Sequence, residues 1–274
     1  MRLFLLALLL LPLFLAGQSD SKGDFYLFWG YNRGWYTNSD IHFKGDGYDF
    51  TLWDTPAHDS PEKFSADTYL NPKRFTIPQF NFRLGYFFHE KYSLSLGWDH
   101  MKYFMDENIF VNVSGYLNED AHDRYSFDLD NEPFFLARDF MEYEHSDGFN
   151  YVRINLDRYD HLHSLGKFDL KWTTGIGVGA ALTWSDHSWG SRRYRNKAHL
   201  SGFNLSINTG PQLEFKEHFF LNSTLMAGHA QLYDVQIRYG YEDKAEQHFQ
   251  FIQWYTVLGY RFSLAKNAPN EKLK

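Results

Sequence analysis

The sequence predicts an all-β fold, a closed antiparallel barrel of eight strands with two long loops at one end. Three observations carry that prediction. First, apolar and polar residues alternate without a break over 168–184. One face reads Phe168, Leu170, Trp172, Thr174, Ile176, Val178, Ala180, Leu182 and Trp184; the other is Asp169, Lys171, Thr and Gly. Ordinary strands average about 5–6 residues, so a soluble sandwich rarely sustains this run. Second, seven further segments carry the same period. Third, the connections alternate between tight turns and long loops.

The strands follow in order. Segment 24–36 is the first and the least regular. In 76–88, Phe80, Phe82, Leu84, Tyr86 and Phe88 oppose Gln79, Asn81, Arg83 and Gly85. In 92–104, Tyr92, Leu94, Leu96 and Trp98 oppose Ser93, Ser95, Gly97 and Asp99. In 149–163, Val152, Ile154 and Leu156 oppose Tyr151, Arg153, Asn155 and Asp157. After 168–184 come 200–215, then 218–232, which is also less regular, and 248–263. In the last, Ile252, Trp254, Leu258 and Tyr260 oppose Gln253, Gly259 and Arg261. Residues 89–91, 164–167 and 216–217 are tight turns; 37–75, 105–148, 185–199 and 233–247 are long. Pieces of the long loops are strand-like themselves, at Ile41 to Phe43, Tyr48 to Trp53 and Ile109 to Tyr116. Loops of that length are uncommon unless they are functional, and these should extend the wall or fold over its mouth.

The N-terminus fits an exported chain. Arg2, the apolar run Leu3 to Leu15 and the small pair Ala16–Gly17 have the order of a signal peptide. That run is too short for a spanning helix, which needs roughly 20 residues. Residues 1–17 are therefore read as the signal peptide, 18–23 as a short linker, 24–263 as the barrel and 264–274 as a disordered tail. There is no cysteine, which excludes a disulfide framework, a thiol nucleophile and a cysteine metal site. The net charge of −7 argues against a nucleic-acid partner. Aromatic residues make up 20% of the chain, which suits the girdles of a transmembrane barrel. A mean hydropathy of −0.51 excludes a bundle of membrane helices but not a barrel, whose strands are apolar on one side only.

The polar parity defines the lumen. Arg83, Asp99, Arg153, Asp157, Lys171 and Arg261 all fall on the face opposite the apolar band. Eight strands leave room only for side chains, so charges of both signs must pair there, giving a plugged interior and not a general pore.

These segments together resemble eight-stranded outer-membrane barrels in general, across residues 24–263. The resemblance implies a location in the bacterial outer membrane, short turns on the periplasmic side, and surroundings of outer-membrane lipid and lipopolysaccharide. The terminal Gly259-Tyr260-Arg261-Phe262 is similar to the aromatic-ended strand that the barrel assembly machinery reads, although Ser263 to Lys274 continue beyond it. Oligomeric state is left open.

The segment Glu144-His145-Ser146-Asp147-Gly148 partly resembles the His-x-Ser motifs of outer-membrane phospholipase A and the lipid A deacylases. By that resemblance His145 is the base, Ser146 the nucleophile, and Asn155 or Glu144 the group that orients the ring. Here His and Ser are adjacent, so a regular strand points them apart and only a bulge or turn at Asp147–Gly148 would unite them. The bland alternative is a polar turn, since Asp-Gly is a strong turn dipeptide. Parity turns Asp99 inward and His100 outward, with Lys102 and Tyr103 as interface anchors. The 13 histidines, including His161, His163 and the loop residues His42, His58, His122, His187 and His199, show no metal-ligand spacing. No cofactor is expected. A divalent cation such as calcium could bridge the acidic Asp128-Leu129-Asp130-Asn131-Glu132 to lipopolysaccharide phosphates, against the simpler reading of a solvated loop.

Two functions follow from different classes. One is a structural or ligand- and partner-binding barrel that works through its outer loops. The other is an acyl hydrolase of phospholipid or lipid A.

Overall fold

A computed structural model describes residues 21–264 apart from 72, 75 and 239. Residues 1–17, expected to be a signal peptide, and all but the first residue of the expected tail lie outside the described residues.

Fourteen strands and one short helix follow in order: β1 (Asp24–Tyr36), β2 (Ser39–Gly45), β3 (Tyr48–Thr55), β4 (Ala57–His58), α1 (Ala66–Tyr69), β5 (Phe80–His89), β6 (Tyr92–Met105), β7 (Ile109–Leu117), β8 (Phe127–Leu136), β9 (Met141–Leu165), β10 (Phe168–Trp189), β11 (Arg192–Arg195), β12 (His199–Phe215), β13 (Phe219–Gln236) and β14 (Lys244–Ser263). Eight of them form a ring in the order β1, β5, β6, β9, β10, β12, β13, β14, every neighbour antiparallel. The ring closes where β1 pairs β14 from Asp24–Ser263 to Tyr36–Phe251. Closure leaves no unpaired edge for lipid to face.

The alternation sets the two faces of the wall. Leu94, Leu96, Trp98, Ile154, Ile176, Val178, Leu205, Ile207, Leu221, Leu225, Ile252, Trp254 and Leu258 are all exposed on the outside. Trp98, Trp184, Trp35 and Trp254 mark the outer end of this belt, and Phe168, Phe219 and Tyr260 the inner end. An apolar band between aromatic girdles is the lipid-facing surface of a transmembrane barrel, so this chain is an outer-membrane barrel by architecture. Its tight turns fall between β5 and β6, β9 and β10, and β12 and β13.

Several boundaries differ from those the sequence predicts. β9 begins at Met141, not 149, and β10 ends at Trp189, not 184. The Asp147–Gly148 dipeptide is not a hairpin turn. It is a bulge inside β9, where the register on β10 jumps from Trp184–Gly148 to Asp186–Glu144. The acidic segment Asp128–Glu132 is not an irregular loop but part of β8.

Beyond the girdle the long loops continue the wall. β2 runs on from β1 along the upper end of β14, with Ile41 to Lys44 opposite Gln247 to Lys244. β3, β7 and β8 follow as successive antiparallel strands. The inner face of this extension is apolar. Ile41, Phe43, Tyr48, Phe50, Leu52, Val113, Leu136, Phe140, Met141, Trp189, Leu232 and Phe249 form one buried cluster.

Candidate functional site

Two interiors are stacked along the barrel axis, and each holds a set of polar side chains. Within the membrane belt the centre is Asp99 on β6. Its Oδ1 accepts from Arg83 Nη1 at 2.8 Å and from Asn81 Nδ2 at 2.7 Å. Its Oδ2 lies 2.8 Å from Arg153 Nε. One carboxylate thus sits between two guanidinium groups, and all three side chains are essentially inaccessible. Asp157 is held differently, by hydrogen bonds from amides: Asn155 Nδ2 and Asn208 Nδ2 donate to its Oδ1 at 2.5 and 3.0 Å. Arg153 Nη1 donates to Asn155 Oδ1 at 2.7 Å, which joins the two groups. Nearer the tight turns, Glu214 takes Lys171 at 2.8 Å and Arg261 at 2.5 Å, and Arg261 also lies 3.5 Å from Asp24.

Small residues make room for this filling. A side chain at Gly97 would collide with the Arg83 guanidinium, and at Gly175 or Gly177 with Asp157, Asn155 or Arg153. The Gly-rich polar parity of 168–184 is therefore the space the neighbouring strand's charges occupy. Every charge of this set has a partner of opposite sign or an amide, which is the condition for ions to persist out of water.

The second interior lies above the outer girdle. His145 is fully buried and points inward. Its Nδ1 is 2.7 Å from Ser185 Oγ on β10, across the bulge. Tyr143 and Tyr103 pack on the same ring at 5.1 and 5.5 Å between centroids. His187 stacks on Tyr143 at 4.9 Å and its Nε2 donates to the Gln236 carbonyl at 3.1 Å. Burial holds His145 down to about 3, with the neighbouring His187 adding to the effect. Burial likewise holds His187 at about 4. Both imidazoles are therefore neutral at ordinary pH.

The residues singled out in the sequence fall as follows. Arg83, Asp99, Arg153, Asp157, Lys171 and Arg261 all lie in the lumen. His145 and Ser146 are not brought together: the histidine is enclosed with Ser185, while Ser146 is part-exposed and bonds with Glu144. Asn155 belongs to the lumen network, not to the histidine. His100 does face outward, and its Nδ1 is 2.9 Å from Asn150 Oδ1. Tyr103 is not an interface anchor; it points into the outer core, because its surroundings there are apolar. Lys102 does not snorkel freely but meets Glu62 at 2.6 Å. Among the described residues no cluster of three or more His, Asp or Glu is arranged to hold a metal ion. Ser185 and His187 were not legible as members of a site. Their signal is parity alone, since they continue the inward face of β10 past Thr183.

The fold and its interior define the class: an eight-stranded membrane barrel with a salt-bridged lumen and an outer extension filled by apolar side chains. No protein-family model matches the sequence, and no curated protein does. Solved structures do match in shape. OprG from Pseudomonas aeruginosa is 12% identical, with 90% of this chain and 100% of that one covered, at a TM-score of 0.44. AlkL in lipid bilayers is 9% identical, covering 92% and 95%, at 0.36. Neisserial surface protein A is 6% identical, covering 90% and 100%, at 0.33. At such identities the likeness concerns the barrel alone.

Proposed function

We propose that this barrel is a closed membrane platform for a rigid extracellular recognition domain, and that it conducts no solutes. One observation carries the reading: the loops form a sheet that is continuous with β14 and encloses an apolar core. Flexible loops would need no such core, and a pore would need a hydrated lumen. The extension also displays Trp53, Phe110, Tyr116 and Phe135 outward, with Phe110 72% exposed. Exposed aromatics on a rigid sheet suit binding of a partner or glycan. Lipopolysaccharide around the wall and the assembly machinery at the last strand complete the expected partners.

Acyl hydrolysis has less support. A lipid would have to reach His145, which is enclosed by Tyr103, Tyr143 and Phe149. Ser146 bonds with Glu144, and His145 bonds with Ser185 instead.

The reading is tested by replacing 109–136 with a short Gly-Ser linker. The barrel should still shift on gels after boiling, liposomes should not swell in small sugars, and surface binding to glycan and protein arrays should vanish. Swelling by the full chain, or binding unaffected by the deletion, would overturn it.

A further inference from the structure

The wall has a seam. β5 ends its pairing with β1 at Tyr31–Phe80, and with β6 at Phe80–His100. β1 nevertheless runs on to Tyr36 and β6 to Met105. Above Phe80 no β5 residue pairs with either strand, although residues of β1 and β6 still approach each other to within 8 Å. The belt's outer tryptophans, Trp35 and Trp98, stand on the same two strands, so the gap opens at the outer-leaflet level.

No strand ladder fills the gap. Side chains and a strap at residues 56–70 do. Tyr36 Oη donates to the Lys102 carbonyl at 2.6 Å, and Asn32 Nδ2 to the His100 carbonyl at 3.2 Å. The strap supplies the rest. Asp59 accepts from the Gly34 N–H at 2.9 Å and from Gln79 Nε2 at 2.6 Å. Glu62 accepts from Lys102 Nζ at 2.6 Å. β4 adds a two-residue pairing to Met105 and Phe104. One carboxylate latches the strap to β1 and another latches it to β6.

We propose that residues 56–70 are a releasable strap over a lateral slot between β1 and β6, held by Asp59 and by the Glu62–Lys102 pair. Behind it lie the inward side chains of Asn32 and Met101, both buried. Release would open the upper interior sideways, at the outer leaflet, while the ring below Phe80 stays closed. The seam is the weak place because a ladder distributes its bonds over many residues, whereas here a few side chains carry them. The test uses the absence of cysteine from the chain. Met101→Cys places a thiol behind the slot, in the full-length protein in outer-membrane vesicles. The probes are a water-soluble maleimide for the slot and trypsin for Lys63 in the strap. In the latch variant Asp59→Ala/Lys102→Met, both labelling and cleavage should rise about tenfold, because the strap then has neither carboxylate contact. The gel shift on boiling should persist and show that the ring is intact. Cleavage at Lys63 with unchanged labelling would mean a strap that covers no slot. Unchanged cleavage would mean a strap not held by these groups. Either result overturns the proposal.

Discussion

The two halves of this molecule are built on opposite plans. In the membrane belt the outside is Leu, Ile, Val and Trp, and the inside carries Arg, Asp, Asn and Gly beside a few aromatics such as Tyr26, Phe28 and Tyr255. Above the girdle the inside is Phe, Tyr, Leu and Met, and the outside mixes charged residues with exposed aromatics such as Trp53 and Phe110. The strands do not turn over between the halves. Apart from Asp147 at the bulge, odd residues of β9 face inward on both sides of it, Arg153 and Asn155 below, Tyr143 and Met141 above. What flips is the chemistry of each parity. β14 shows the change less sharply: Gln253 lies between inward Phe251 and Tyr255 within the belt, and Phe249 and Ala245 are inward beyond it. The solvent causes this. Lipid rewards an apolar exterior, and water rewards an apolar interior.

That contrast predicts where substitutions hurt and how. The largest effect is expected in the lumen. Asp99→Ala leaves Arg83 and Arg153 buried without their carboxylate, at a cost of about 3–5 kcal/mol. Urea unfolding in detergent should show the loss, together with failure of the barrel band to resist mild heating. Next comes the outer core. Phe50→Ala should cost about 3–5 kcal/mol locally, through a cavity. Trypsin should then cut within 39–55 and 109–136 while the barrel band remains. Equal loss of both halves would break the comparison.

A smaller and pH-dependent effect belongs to the outer half alone. His145 and His187 are held at about 3 and about 4 in the fold, and an unfolded histidine titrates near 6.5. Between these values the unfolded state binds more protons, so stability is lost as pH falls below about 6.5. Each histidine contributes a slope of about 1.4 kcal/mol per pH unit in that window. Protease protection of the outer half should therefore weaken between pH 6.5 and 4, and His145→Gln should flatten the dependence. The smallest effect is on the surface. His42–Asp49 joins β2 to β3 at 2.7 Å, but both side chains are over a third exposed. Asp49→Asn should change stability by less than about 1 kcal/mol.

The contrast also explains how much the sequence could disclose. All eight ring strands were legible because lipid enforces one apolar parity over long runs. That Arg83, Asp99 and Lys171 face the lumen followed from that parity alone, whereas their partners depend on register between strands. The reading failed where the apolar parity changes side. β9 and β10 were stopped at 149 and 184, next to the bulge at Gly148, because Glu142, Glu144 and Asp186 take over the outward positions there. β8 was missed for a related reason. It is an edge strand, and Asp128, Asp130, Glu132 and Pro133 are the residues that keep such an edge from pairing further. His145 was legible as a notable residue but not its partner. The bulge that sets it against Ser185 is a matter of register between strands, which a local motif does not encode.

Hydrogen exchange of the full-length protein in lipid nanodiscs, followed residue range by residue range at mildly acidic pH, tests the two-plan architecture most directly. Amides of 39–55 and 109–136 should exchange together and well before those of 168–184, because their interior alone carries the buried neutral histidines. Simultaneous exchange of both regions would contradict the account and show one interior where two are described.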